Sequence, residues 1–247
     1  RFGPSFLQNL NVAVIGASGG IGGALVKALS KSPSVEHLYA LSRSVTHLDT
    51  PKTTPICIDL EKEASIKQAA RTLSKDTKEL DIIIVASGIL HNSSSISPEK
   101  SLKEVNSGSL LSSFSINAIG PLLVAKHFYT YLPKTRKSIF STLSARVGSI
   151  SDNHLGGWYS YRMSKAALNM GTKTLSVELA RTRPHAICVG LHPGTVETKL
   201  SKPYLTNTPI QPFSPHQSTV NLLRVISTRC QKDSGLVFDW RGEQVPA

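Results

Sequence analysis

The segment GGWYSYRMSK, residues 156–165, contains a tyrosine and a lysine at a spacing suited to proton transfer. Tyr161 precedes Lys165 by four positions, and residues four apart are neighbours on one face of a helix. A phenol titrates at about pH 10, so a nearby ammonium that stabilises the phenolate would lower its pKa and make it a general acid or base. Tyr159 pairs at the same spacing with Met163, which offers no such chemistry. Tyr161 and Lys165 are therefore the candidate catalytic pair, although the spacing alone also arises by chance in many helices.

A glycine-rich turn follows the first apolar run, residues 11–16. Glycines stand at Gly16, Gly20 and Gly22, and Ser18 occupies the second glycine position of the G-x-G-x-x-G fingerprint. Such a turn lets backbone approach a phosphate closely and directs the free amides of a helix N-terminus at the anion. The turn predicts dinucleotide binding; tight packing of the helix on the strand is the alternative.

The second apolar run ends in Ser42 and Arg43, and no acidic residue follows until Asp49. In dinucleotide folds an acidic residue here binds the ribose 2′-hydroxyl, whereas an arginine accommodates a 2′-phosphate. The sequence therefore favours NADP(H), with NAD(H) as the alternative cofactor; an arginine that only solvates the strand end is the competing interpretation. Asp59 can accept from the adenine amino group, or cap a helix that begins near Glu61.

Short apolar runs rich in β-branched residues alternate with segments of helical periodicity. The predicted strands are residues 11–16, 37–42, 55–59, 81–87, 138–144, 185–191 and 235–240. Repeated strand–helix alternation predicts βαβ units, right-handed crossovers and a parallel sheet buried on both faces. We expect one doubly wound Rossmann domain over residues 1–247, with a seven-stranded parallel sheet in the order 3-2-1-4-5-6-7, helices on both faces and a surface loop at 87–101. The irregular stretch 198–217 predicts a lid, with the substrate loop at about 199–217.

Composition and charge exclude several classes of protein. The net charge is +12, but the basic residues are scattered and form no basic arm or aromatic-rich RNA-binding pattern, so we expect no nucleic-acid partner. The longest purely apolar run, Ile82–Ala86, is far short of the roughly 20 residues that span a bilayer. With no signal segment and three scattered cysteines, we expect a cytoplasmic protein without membrane contact. The histidines lack metal-ligand spacing, so no metal is expected.

These motifs, taken in order, resemble the short-chain dehydrogenase/reductase family over essentially the whole chain. The likeness lies in the glycine turn, in Asn117 of SINAIGP, in Ser144 after the fifth run, in Tyr161-x-x-x-Lys165 and in HPGTVET, residues 192–198. More narrowly, LSARVGSISDNHLGGWYSYRMSKAALNM and GLVFDWRGE are similar to the C-factor branch, named for a bacterial intercellular-signalling protein.

The resemblance implies roles for the catalytic group. Tyr161 would exchange a proton with the substrate oxygen, while Lys165 would lower the Tyr161 pKa and hold the nicotinamide ribose. Ser144 would hydrogen-bond the substrate oxygen as charge develops on it, and Asn117 would anchor a water that links Lys165 to solvent. Pro193 and Gly194 would shape the loop beside the nicotinamide. The Val196 backbone and the Thr198 side chain would fix its carboxamide.

The chain departs from the family pattern in three places. Ile15 replaces the usual threonine before the first glycine, and Asn-Ala-Gly after the fourth run appears as Ala86-Ser87-Gly88, so Ser87 or backbone must hold that turn. Many relatives carry a serine three residues before the glycine of the following loop, where this chain has Ala145. Ser144 is the predicted catalytic serine, with Ser149 or no serine as the alternatives.

The predicted activity is NADP(H)-dependent hydride transfer to or from a small carbonyl or alcohol substrate. The resemblance also implies a homodimer or homotetramer that associates through long helices, here around residues 100–132 and 158–182. A nucleotide-binding signalling or scaffold protein with little turnover is the alternative. The residues assigned to the cofactor are Gly16, Ser18, Gly20, Ile21, Gly22, Ser42, Arg43, Asp59, Leu60, Ala86, Ser87, Gly88, Tyr161, Lys165, Pro193, Gly194, Val196 and Thr198.

Overall fold

A seven-stranded, all-parallel sheet organises the chain. The computed structural model describes residues 9–44, 52–92, 96–205 and 211–247. The strands are β1 (Leu10–Ile15), β2 (Val35–Ser42), β3 (Thr53–Cys57), β4 (Ile82–Val85), β5 (Ser138–Leu143), β6 (Ala186–His192) and β7 (Val237–Asp239). Their order, β3-β2-β1-β4-β5-β6-β7, confirms the predicted topology.

Helices cover both faces of this sheet, which is why the strands are apolar throughout rather than alternating. The helices are α1 (Gly20–Ser30), α2 (Glu63–Leu73), α3 (Ser107–Phe114), α4 (Gly120–Phe128), α5 (Tyr159–Thr182) and α6 (Pro215–Thr228). Leu25 of α1 and Leu222 of α6 lie in one core cluster, and Ile66 of α2, Phe128 of α4 and Leu179 of α5 lie in the other. The prediction of a doubly wound Rossmann domain is therefore confirmed.

The strand order changes direction between β1 and β4. Chain connections run to β2 and β3 on one side of β1, and onward from β4 to β7 on the other. In open parallel sheets, ligands bind outside the carboxyl ends of the strands at such a switch point. The glycine turn after β1 and the segment after β4 both lie at this place.

A single π turn, Ser115–Ile119, joins α3 to α4 and was not anticipated from the sequence. Residues 107–131 form the only stretch in the described residues that is long and apolar enough to cross a membrane, with a mean hydropathy of 1.4 in the best window. The same stretch contributes Val124, Ala125 and Phe128 to the core between α2 and the sheet. Packing against the sheet thus accounts for the buried part of the stretch, whereas Leu111, Ile119 and Leu122 of the same stretch are exposed.

The predicted lid is more regular than its composition suggested. It contains a 3₁₀ turn at Lys202–Tyr204, and α6 already begins at Pro215, where Ser214 and Gln217 form a capping box. The two ends of the stretch meet, because Phe213 N donates to Thr195 O at 2.8 Å. Residues 206–210 of the predicted loop, like 93–95 of the surface loop, lie outside the described residues.

Candidate active site

The glycine turn brings β1 and α1 close together. Gly16 has φ +89°, a left-handed conformation that favours glycine, and its amide donates to Leu41 O at 2.8 Å. A Cβ on Gly22 would lie 2.0 Å from Gly16 O, so Gly22 is required for the approach of helix to strand. The helix starts after Gly19 without a side-chain cap and with no acidic residue in its first turn. Its first amides are therefore available to an anion, and the turn fits a dinucleotide phosphate.

A cavity of about 390 Å³ opens at this turn. Nine of the residues that line it were assigned to the cofactor from the sequence: Gly16, Ser18, Ser42, Arg43, Asp59, Leu60, Ala86, Ser87 and Gly88. It is also lined by Ile58, Glu61, Ile89, His91, Asn92 and Ile116, which sequence reasoning had not assigned. All of these are close in sequence to predicted residues, so neighbourhood at a strand end was the signal that could have found them. The cavity gathers the ends of β1, β2, β3 and β4.

Asp59 does not cap α2. The helix begins at Glu63 with Lys62 as its N-cap, so the alternative of a cap for a helix near Glu61 is wrong. The carboxylate instead accepts from Glu61 N at 3.2 Å, forming a local turn, and lies 3.4 Å from Lys62 Nζ. Helix α2 starts later than expected because this turn uses two residues before the helical backbone begins. The Asp59 carboxylate remains at the wall of the cavity.

Tyr161 and Lys165 face each other in the first turns of α5. Lys165 is buried, and its Nζ lies 5.7 Å from the centre of the Tyr161 ring and donates to Leu143 O at 2.7 Å. Burial lowers the pKa of Lys165 to about 8 and raises the pKa of Tyr161 to about 12. The expected net lowering of the Tyr161 pKa is therefore not found, because desolvation disfavours the charged form of both groups. The phenol keeps its proton at neutral pH and can donate it.

Asn117 is held within the π turn and is fully buried. Its Oδ1 accepts from Ile89 N at 2.8 Å, and its Nδ2 donates to Ile89 O at 2.8 Å and to Ser164 Oγ at 3.0 Å. A Cβ on Gly88 would lie 3.4 Å from Asn117 Oδ1 and 3.5 Å from Lys165 Nζ. Asn117 thus ties the segment after β4 to α5 beside Lys165. The predicted water is not part of this geometry and stays a prediction.

Ser144 and Ser149, the two candidate catalytic serines, are both buried and hydrogen-bonded. Ser144 Oγ donates to Asn169 Oδ1 at 2.5 Å, and Asn169 follows Tyr161 by eight residues, about 12 Å along the helix axis. Ser149 Oγ accepts from Asp152 N at 3.1 Å and donates to Ala247 O at 3.3 Å. Neither hydroxyl is directed at Tyr161 by a hydrogen bond.

The loop after β6 packs over the start of α1. A Cβ on Gly20 would lie 2.6 Å from Thr198 Cγ2, so the predicted nicotinamide loop touches the glycine turn. Gly194 has φ +78°, and Pro193 O accepts from Ser218 Oγ at 3.0 Å. Val196 is buried and forms a bridge with Phe213. Ile21, by contrast, packs half-buried against the core, so its side chain supports the helix.

A row of rings leads away from Tyr161. The centre of the Trp158 ring lies 6.2 Å from that of Tyr161 and 5.4 Å from that of Tyr204. His91 lies 5.6 Å from Tyr204, and its Nε2 is 3.1 Å from Leu200 O. His91 therefore connects the segment after β4 to the loop after β6, across the mouth of the site. The Trp158 ring therefore packs beside Tyr161.

Comparison with known proteins identifies the class. Residues 10–208 match the family described as short chain dehydrogenase, and the chain belongs to that family of oxidoreductases. The C-signal protein of Myxococcus xanthus is 36% identical over 146 residues, which cover 59% of this chain and 82% of that protein. This match confirms the likeness to the C-factor branch.

Two further matches extend over almost the whole chain. An uncharacterized oxidoreductase of Saccharomyces cerevisiae is 32% identical over 254 residues, 94% of this chain and 95% of the relative. The structure of an NADPH-bound carbonyl reductase from chicken fatty liver superposes with a TM-score of 0.82 at 27% identity, covering 98% of this chain and all of that one. The described residues therefore have the fold of this carbonyl reductase.

Proposed function

We propose that the protein is an NADP(H)-dependent reductase of a small carbonyl compound, or catalyses the reverse oxidation of an alcohol. The observation that carries the proposal is the half-buried Tyr161 beside the buried Lys165, whose Nζ lies next to Gly88 at the wall of the cavity by the glycine turn. The carbonyl reductase from chicken, with its bound NADPH, supports the same conclusion by likeness.

The cofactor, when bound, supplies the hydride chemistry. Tyr161 donates its phenolic proton to the carbonyl oxygen as negative charge develops there. Lys165, held by Leu143 O, places an ammonium next to the ring that becomes a phenolate, and so stabilises that product of proton transfer. Asn117 fixes the distance between α5 and the segment after β4.

Arg43 and the glycine turn would bind opposite ends of the adenosine half. Arg43 is exposed at the cavity wall, where a guanidinium can pair with a 2′-phosphate. Asp59 would accept from the adenine amino group, and Thr198 with the Val196 backbone would bind the nicotinamide carboxamide. These assignments favour NADP(H) over NAD(H), because no acidic residue follows the carboxyl end of β2 in the sequence until Asp49.

Ser144 remains the predicted donor to the substrate oxygen. To act in this way its hydroxyl must leave Asn169, to which it donates in the structure. A donor that first has to break a hydrogen bond stabilises the transition state less than a donor that is already aligned with the substrate oxygen. Ser149 and the absence of any catalytic serine therefore stay as alternatives.

The proposed activity is tested by NADPH oxidation, followed by absorbance, with a panel of aldehydes, ketones and quinones. We expect turnover with at least one carbonyl class. Tyr161→Phe should lower it by about 10³-fold or more because the proton donor is lost, whereas the matched control Tyr159→Phe should leave it within about twofold. Equal activity of the Tyr161→Phe variant and the unmodified protein would refute the proposed mechanism.

A second function, nucleotide-dependent signalling with little turnover, is favoured by two observations. Ala145 stands where many relatives have a catalytic serine, and the C-signal protein is 36% identical over 146 residues. This function predicts that Tyr161→Phe keeps its full biological effect in cells while still binding NADPH. Loss of the effect in that variant assigns the role to catalysis.

We propose that the protein works in the cytoplasm as a homodimer or homotetramer. The outer sides of α4 and α5 form an apolar cleft of about 220 Å³ whose lining includes Leu122 and Gly171. Leu122 is 52% exposed, and neighbouring Met170 is 67% exposed. Side chains of this kind, clustered on two long helices, are typical of a contact between subunits. Light scattering of the unmodified protein and of Met170→Glu tests the assembly, and a monomeric unmodified protein refutes it.

A further inference from the structure

The helix that carries Tyr161 has no cap of its own. Helix α5 starts at Tyr159, so Tyr161 is its third residue and lies in the first turn, whose amides have no acceptors within the helix. The preceding residues Gly156, Gly157 and Trp158 all have left-handed backbone, with φ of +65°, +64° and +52°. Trp158, the N-cap residue, provides no side-chain hydrogen bond. A first turn of this kind frays unless another part of the chain supplies acceptors.

Glu99 supplies those acceptors from the segment that precedes α3. Its backbone oxygen accepts from Trp158 N at 2.5 Å, and its Oε2 accepts from Ser160 N at 3.1 Å. Its other carboxylate oxygen, Oε1, accepts from Ser160 Oγ. Glu99 thus provides acceptors for the amide of the N-cap residue, Trp158, and for the amide and hydroxyl of Ser160 in the first turn. These two residues flank Tyr159, and Ser160 directly precedes Tyr161.

Burial makes this arrangement specific. Glu99 is 2% exposed and Ser160 is 3% exposed, so water cannot take over these bonds if the carboxylate is removed. A carboxylate at the N-terminus of a 24-residue helix is also stabilised by the partial positive charge of the helix end. The opposite side of the turn is held separately, because Ser164 Oγ donates to Tyr161 O at 2.9 Å and itself accepts from Asn117.

We propose that Glu99 is a positioning residue for Tyr161: it fixes the first turn of α5 and thereby the place of the phenol beside Lys165. This inference rests on the proposed reductase function. It distinguishes Glu99 from Glu104 of the same segment, which is exposed and whose carboxylate accepts from Lys100 N at 2.6 Å without touching α5.

The test compares Glu99→Ala, Glu99→Asp and Glu99→Gln, with Glu104→Ala as the matched control. A glutamine can still accept from Ser160 N and can donate to Ser160 Oγ, so we expect it to keep kcat within about threefold of the unmodified protein. Alanine keeps the backbone oxygen that accepts from Trp158 N but lacks both carboxylate acceptors, and aspartate is shorter by one methylene, so both should lower kcat about ten- to a hundredfold. The Kd for NADPH should stay within about twofold in all four variants.

The result that overturns the inference is unchanged kcat in Glu99→Asp, which keeps the charge and can be studied if the alanine variant does not fold. An equal loss of NADPH affinity and kcat would also overturn it, because that pattern indicates general disruption. If the unmodified protein turns over no carbonyl, the proposed function fails instead. In that case, NMR of tyrosine-labelled protein tests the position of the Tyr161 ring through its Cζ resonance. This resonance should shift in Glu99→Asp and not in Glu104→Ala. An unshifted resonance in Glu99→Asp refutes the role of Glu99.

Discussion

Arg43 at the end of β2 offers the sharpest test of cofactor choice. The change is Arg43→Asp, which replaces a cation at the cavity wall by an anion. Two unit charges about 4 Å apart interact by ~1 kcal/mol in water and ~4 kcal/mol at an effective dielectric constant of 20. Because Arg43 is exposed, the lower figure applies. Loss of ~1 kcal/mol of attraction and gain of ~1 kcal/mol of repulsion should weaken NADPH binding about 30-fold.

The assay is calorimetric titration of the protein with NADPH and with NADH. NADH has no 2′-phosphate, so its affinity should change by less than about threefold, and the preference between the two cofactors should shift accordingly. The control is Arg181→Asp, which changes the net charge equally at the far end of α5, on an exposed site. Equal weakening of NADPH and NADH, or a change below about threefold for NADPH, would refute the 2′-phosphate assignment.

Three further predictions concern stability and the proposed role of Ser144. Burial lowers the pKa of Lys165 to about 8 from an unfolded value of 10.5, so near neutral pH the folded state carries a penalty of ~3 kcal/mol for the charge. Lys165→Met removes this penalty but also loses the hydrogen bond to Leu143 O, which contributes ~1 kcal/mol. The variant should therefore have a free energy of unfolding in urea that is ~2 kcal/mol higher than that of the unmodified protein. This gain disappears as pH rises from about 8 through 10.5, where the unfolded lysine also loses its proton. Gly22→Ala should destabilise the fold by more than ~3 kcal/mol in the same assay, since its Cβ would lie 2.0 Å from a backbone oxygen. Ser144→Ala should lower kcat about tenfold, less than the 10²- to 10³-fold of an aligned donor, because the hydroxyl first has to leave Asn169.

Matched variants separate these effects from general ones. Lys67→Met changes an exposed lysine of α2 and should leave stability unaltered across the pH range. Gly23→Ala places a Cβ 3.3 Å from Ala17 O, a contact that a small shift relieves, so it should cost much less than Gly22→Ala. Ser149→Ala is the counterpart of Ser144→Ala: a larger kcat loss in Ser149→Ala would transfer the catalytic assignment to that serine. Less stable Lys165→Met near neutral pH would contradict the pKa argument.

The number of strands could be predicted from the sequence because buried parallel strands are continuous apolar runs, and their order followed from the topology of a doubly wound fold. The glycine turn and the pair Tyr161–Lys165 were equally accessible, since each depends on spacing within one local element. The pKa of Tyr161 was not accessible, because it depends on how deeply the first turn of α5 is buried by distant segments. Glu99 was missed for the same reason: its partner Ser160 is 61 residues away.

The π turn at Ser115–Ile119 limits how many residues the connection between α3 and α4 can contain. A turn closed by i→i+5 bonds contains one residue more than an α-helical turn, so α3 and α4 are in effect one helix with a surplus residue between them. Removing a single residue there would restore a continuous α-helix and rotate everything on one side of it by about 100° relative to the other. Asn117 would then leave Ile89, or the apolar side of α4 would leave the sheet. The extra residue is thus required both by the hydrogen bonds of Asn117 and by the packing of α4, so neither a shorter nor a longer turn would satisfy both.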